Sequence, residues 1–250
     1  MQVINPNLKI KKITNPYTVW TVDDFLKEEI IETISSNWLD LDNQAWHTGH
    51  SNIKGKKNVL ENGLRGISKL ELMPKAISEI IEHFHSQDFT DQIGDLLKIE
   101  NLVPDEVLRW SGMRTMLPGS YQLIHSDARK SPESGLRKEI TVLIYTQPSY
   151  NLEKDTGHLE IWDDNMKECI HKIAPKFNSA VFFLNSDTSY HGVPNVNFER
   201  RAITFSILKD AESTDRVKAL FVARPKDSEE IRKQGLERSL IDDAKNKKRM

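Results

Sequence analysis

Residues 124–129 read IHSDAR, which sets an imidazole and a carboxylate two positions apart. On an extended strand His125 and Asp127 project from the same face, because side chains alternate with a period of two. Such a pair is two-thirds of a facial metal site. A second imidazole is available in His191, where the last part of the β-rich region begins. Two imidazoles and one carboxylate, with the remaining positions open, suit iron(II) that must also accept a co-substrate and dioxygen. HxD spacing also arises by chance, and a lone histidine at a strand end is usually a hydrogen-bonded surface residue. More is needed than these three residues.

The stretch SYHGVPNVNFERRAITFSIL, residues 189–208, adds it. Two arginines stand at the mouth of an apolar strand, the first of them nine residues after His191. Alternation puts Arg200, Ala202, Thr204 and Ser206 on one face and Arg201, Ile203, Phe205 and Ile207 on the other. The first face is small and hydroxylated and leaves room beside a guanidinium. The second is bulky and suited to packing. A guanidinium fork matches a carboxylate bidentately, so Arg200, with Thr204 as a further donor, is a receptor for an acid whose other end would reach the metal.

With these motifs in hand, most of the chain resembles the 2-oxoglutarate/Fe(II)-dependent dioxygenases, specifically the prolyl 4-hydroxylase-like branch, weakly before residue 88 and strongly over 118–208. HxD with a distant H matches His125, Asp127 and His191, and the family's 2-oxoglutarate arginine matches Arg200 in RRAIT. KEITVLIYTQ resembles the strand that gives a tyrosine to the same carboxylate, here Tyr145. TGHLEIWD resembles a GGxLxL/I strand with His158 at the second glycine, IAPKFNSAVFF resembles the segment ahead of the distal histidine, and YTVWTVDDFLKEE resembles the opening strand and helix. MLPGSYQLIH is shorter than in the animal oxygen-sensing prolyl hydroxylases, and Tyr121 occupies a different position from their tyrosine in that region. The resemblance implies Fe(II) on His125, Asp127 and His191, with no catalytic residue beyond these ligands. It implies 2-oxoglutarate held by Arg200, Tyr145 and Thr204, dioxygen as oxidant, and ascorbate as a conceivable reductant. The implied activity is hydroxylation of an unactivated C–H, with a prolyl residue of a protein or peptide as the favoured substrate. A small molecule such as an amino acid or sugar, or a catalytically silent metal-binding scaffold, are the alternatives.

The elements that must position these groups follow from patterning. YTVWTV (17–22) reads as a strand, with Asp23 or Asp24 capping a helix to about Trp38. Residues 40–68 read as loop, and helices are expected from Pro74 to about Ser86 and over Phe89–Ile99. From 108 to 208 short apolar or alternating runs recur between Gly, Pro, Asn and Asp, the pattern of a jelly roll. The expected fold is therefore α+β: a double-stranded β-helix with N-terminal helices packed on it and a charged C-terminal helix. The expected organisation is a support region (1–103), the jelly-roll core (104–209) and a charged helix and tail (210–250), as one structural unit.

Composition agrees with an ordinary globular protein of 250 residues, 29% charged and 38% apolar. The net charge of −2 implies no attraction to nucleic acid or anionic membrane, and no apolar run is long enough to span a bilayer. The single cysteine, Cys169, excludes an internal disulfide framework and fits a reducing compartment, so the cytoplasm is the expected location. Oligomeric state is not legible. His47 and His50 read as loop histidines, because zinc sites need further ligands nearby. His83 and His85 diverge on a helix, and Trp110, Trp162, Phe182 and Phe183 read as core.

Overall fold

The computed structural model describes residues 1–48, 63–108, 110–213, 216, 219–230, 232 and 233. Its first strands, β1 (Ile10–Ile13) and β2 (Val19–Val22), form an antiparallel hairpin. Helix α1 (Glu28–Ser36) starts later than an Asp23 or Asp24 cap would place it. The Asn178 side chain takes Leu26 N and donates to Leu26 O, both at 2.9 Å, and Phe25 N donates to Asn178 O. These bonds claim the backbone that would have made the first turn and sink Phe25 and Leu26 into the core. Helix α2 (Lys75–Phe84) follows Pro74 directly, where a missing N–H is harmless. In α3 (Gln87–Leu97) the Ser86 hydroxyl caps the start by accepting from Phe89 N at 3.2 Å.

The remaining strands form two open antiparallel sheets. The larger contains β1, β2, β3 (His47–Thr48), β4 (Leu64–Ile67), β5 (Leu102–Pro104), β6 (Gly112–Met116), β8 (Leu136–Tyr145), β11 (Ala180–Leu184) and β13 (Arg200–Glu212). Its order is β1-β2-β11-β8-β13-β6-β4-β3, with β5 also paired to β13. The smaller has the order β10 (Cys169–Ile173), β9 (Leu159–Trp162), β12 (His191–Val193), β7 (Gln122–Ser126), β14 (Leu220–Val222).

Alternation on the larger sheet sorts two cores. Trp20, Val142, Ile144, Phe182, Ile203 and Phe205 face the helices and share one cluster with Ile77, Ile81, Phe84 and Phe89. Phe84 stacks on Phe205 with centroids 5.3 Å apart, which fixes α2 to β13. Val19, Tyr145, Val181, Phe183 and Ala202 face the other way and pack against Leu159 and Ile161 of the smaller sheet. Each such side chain contributes roughly 1.5–3 kcal/mol of burial, so the space between the sheets is well braced.

Several short strands depart from the sequence-based expectation, β1, β5 and β12 among them. Residues 40–68 contain β3 and β4, which extend the larger sheet, β4 pairing to β6 and β3 to β4. Beyond residue 209, β13 continues to Glu212, and β14 adds to β7 at the edge of the smaller sheet. Helical backbone occurs at 229–230 and 232–233. The rest of the expected C-terminal helix and tail, and His50, lie outside the described residues. No described helix is long and apolar enough to cross a membrane.

Candidate active site

Pairing of β12 with β7 sets His191 directly opposite His125, and Asp127 follows at the end of β7. The ring centroids lie 4.2 Å apart. Asp127 Oδ1 is 3.6 Å from His125 Nε2 and 3.9 Å from His191 Nε2, and the three donor atoms all fall within 4.8 Å of one another. His125 Nδ1 sits 2.9 Å from Leu123 O, and His191 Nδ1 sits 2.9 Å from Ser189 O. A carbonyl can only accept, so both Nδ1 atoms carry the proton and both Nε2 lone pairs are left for a metal. Burial lowers the His191 pKa despite the opposing pull of Asp127, which favours the neutral, ligating form.

Asp127 divides its two oxygens. Oδ1 faces the imidazoles, while Oδ2 accepts from Lys138 Nζ and Thr141 Oγ1, each at 2.8 Å. Burial pushes the Asp127 carboxyl up, but Lys138 and then the two imidazoles hold it well below the usual carboxylate range. The donor set is thus two imidazole nitrogens and one ionised oxygen, which suits a first-row divalent metal.

Both sheets line a cavity of about 180 Å³ that contains His125, Asp127 and His191 together with Arg200, Ala202 and Thr204. Arg200 is 5% exposed, and no described carboxylate pairs with it. It donates through Nη2 to Tyr145 OH at 3.1 Å, lies 4.9 Å over the Tyr145 ring, and leaves Nε buried without a partner. Burial raises the Tyr145 pKa against the pull of Arg200, so the hydroxyl stays protonated. A buried guanidinium with an unused donor needs an anionic ligand. The residues present therefore fit both an iron(II) ion and a dicarboxylate. Tyr145 backs the guanidinium and is not among the cavity-lining residues, whereas Thr204 is. Arg201 lies on the opposite face, bonded to Glu199 at 2.7 Å and 5.9 Å over the Trp38 ring.

Several lining residues escaped sequence reasoning. Phe183, read as core, is fully buried among core residues and also lines the cavity, its ring 4.5 Å from that of His191, and Trp110, also read as core, lines the cavity. His47, read as loop, pairs in β3 and lines the cavity, while Tyr121 is not among the lining residues. His83 and His85 diverge as expected: His83 meets Phe89, and His85 bonds Ser111. Phe221 of β14 stacks on the His125 ring, with centroids 5.0 Å apart and 19° between planes. Beside it Arg224 bridges Gln122 O and Glu160, and Arg216 bonds Ser126. Only the short apolar run LFV within a charged stretch hints at that strand.

Residues 111–207 match the family model described as "2OG-Fe(II) oxygenase superfamily". That segment belongs to this superfamily. The oxygenase segment holds all three candidate metal donors and Arg200, whereas Phe221 lies beyond it. No curated protein matches the chain. Among solved structures, a prolyl-4-hydroxylase from Pseudomonas putida is similar, with a TM-score of 0.54 and 13% identity. The alignment covers 77% of this chain and 93% of that one. A prolyl hydroxylase from Trichoplax adhaerens, in complex with a hypoxia inducible factor oxygen degradation domain peptide fragment, gives 0.51 and 14%, covering 77% and 84%. At these identities the likeness is one of fold.

Proposed function

We propose that the chain is an Fe(II)- and 2-oxoglutarate-dependent dioxygenase that hydroxylates a prolyl residue in a protein or peptide. The observation that carries the reading is Arg200: a buried guanidinium, with no carboxylate paired to it among the described residues, in the same cavity as a two-imidazole, one-carboxylate cluster. In this reading His125, Asp127 and His191 hold the iron, Arg200 and Thr204 hold the distal carboxylate of 2-oxoglutarate, and Tyr145 orients the guanidinium. When bound, iron and 2-oxoglutarate supply the oxidation, with dioxygen giving one oxygen atom to succinate and one to the substrate C–H bond. The chain's own contribution is placement and exclusion of water. Leu143, Leu159, Phe183 and Ala202 wall the cavity with apolar surface, and Leu64, Met116 and Val193 extend it with surface suited to an uncharged ring.

The two sheets are read as a double-stranded β-helix enclosing that cavity. In this reading residues 1–103 support it and 104–209 carry it, with β14 at the edge of the smaller sheet beyond them. The free Cys169 supports a reducing, cytoplasmic setting. The peptide preference draws support from the prolyl hydroxylases of similar fold. Incubation with Fe(II), 2-oxoglutarate and panels of prolyl peptides, free amino acids and sugars tests it by mass spectrometry. A peptide gaining the mass of one oxygen is the expected product. Products from small molecules alone would overturn the prolyl assignment, and none from either panel would favour a metal-binding scaffold.

A further inference from the structure

Lys138 is 3% exposed, and Asp127 is its carboxylate partner. The Trp110 ring lies beneath its ammonium, 4.9 Å from the centroid. Burying an ammonium is costly unless it is well paired, and the backbone is irregular at the point that makes this pairing. Along β8, Ile140 pairs with Ile207 but Lys138 pairs with Leu208, so Glu139 is an extra residue in the ladder. In an unbroken strand Lys138 would share the face of Ile140, which is turned to the helices. The bulge turns Lys138 to the face of Thr141 instead, as bulges beside functional sites do. Both side chains then donate to the one Asp127 oxygen that does not face the imidazoles. A carboxylate can give a metal one oxygen or two, and a second oxygen would fill a position that a chelating co-substrate needs.

We propose that Lys138 and Thr141 are positioning residues that reserve Asp127 Oδ2, hold the carboxylate to single-oxygen ligation and keep three coordination positions open. The proposal rests on the reading of His125, Asp127 and His191 as the metal site. It is tested with Mn(II) alone, by water-proton relaxivity per bound ion, which counts metal-bound waters. Wild-type protein is expected to retain roughly three waters on a six-coordinate ion. Lys138→Met combined with Thr141→Val should lose one of them, lowering relaxivity per bound Mn(II) by about a third, while Lys138→Arg keeps the wild-type value. Thr141→Val alone, close in shape to the native side chain, should move it in the same direction and stands in if the double variant does not fold. A role confined to supporting the fold would leave relaxivity per bound ion unchanged, and unchanged values in Thr141→Val and Lys138→Met would overturn the clamp. A wild-type protein that binds no Mn(II) would overturn the metal reading, and the clamp with it.

Discussion

Arg200 and Arg201 are neighbours in sequence with opposite fates, and the difference is one of parity. Arg200 enters the cavity with Ala202, Thr204 and Ser206, while Arg201 turns outward to Glu199 and Trp38. Arg200→Ala should weaken 2-oxoglutarate binding by roughly 2–5 kcal/mol, the range for truncating one partner of a buried charge pair. Arg201→Ala should leave it nearly unchanged, because its pair is partly exposed and contributes little. Calorimetric titration of the Mn(II)-loaded variants distinguishes them, and the reverse order would mean that the two strand faces are exchanged. Period-two spacing puts His125 and Asp127 on one face and sorts Arg200 from Arg201, while His191 reaches them only through the long-range pairing of β12 with β7. Lys138 was not legible, since the bulge at Glu139 inverts the parity on which such reading depends.

At the scale of elements, the join between α2 and the start of β6 shows how a helix braces the strands that line the cavity. His85, at the C-cap of α2, donates from Nδ1 to Ile81 O at 2.9 Å and bonds Ser111 through Nε2. Burial lowers its pKa to about 4, against a small opposing effect of the Ile81 carbonyl. The unfolded chain therefore takes up a proton that the folded chain refuses. Its contribution is fully present above about pH 6.5 and is lost as pH falls toward about 4, by at most roughly 3 kcal/mol. Urea unfolding of wild type and His85→Gln at pH 7 and pH 4.5 should show the wild-type advantage shrinking on the acid side, and a constant difference would contradict this. The helices α2 and α3, the strands from β6 to β11 and β13 were readable from apolar periodicity and from Pro74, whereas the three-residue β12 was not. The three-residue β14 was not, because its charged neighbours mask it and pairing to β7, a long-range contact, is what makes it a strand. The start of α1 was misplaced for a related reason: Asn178, 152 residues from Leu26, decides it.

For the molecule as a whole, the larger sheet works with both faces. One is packed by helices, and the other meets the smaller sheet across the cavity. Antiparallel pairing of β12 with β7 brings His191 to His125, and neither residue forms a site alone. The C-terminal stretch belongs to the same assembly, since Phe221 covers His125 and Arg224 ties Gln122 to Glu160. In the proposed reading this assembly oxidises 2-oxoglutarate at a metal held by Asp127 and the two histidines. The most direct measurement is succinate formed from 2-oxoglutarate by the full chain with Fe(II) and air, beside Asp127→Ala and a metal-free control. Wild type is expected to release succinate slowly, and faster when a prolyl peptide substrate is added, while Asp127→Ala and the metal-free protein release none above background. Equal succinate from wild type and Asp127→Ala, or none from iron-loaded wild type with 2-oxoglutarate bound, would contradict the account.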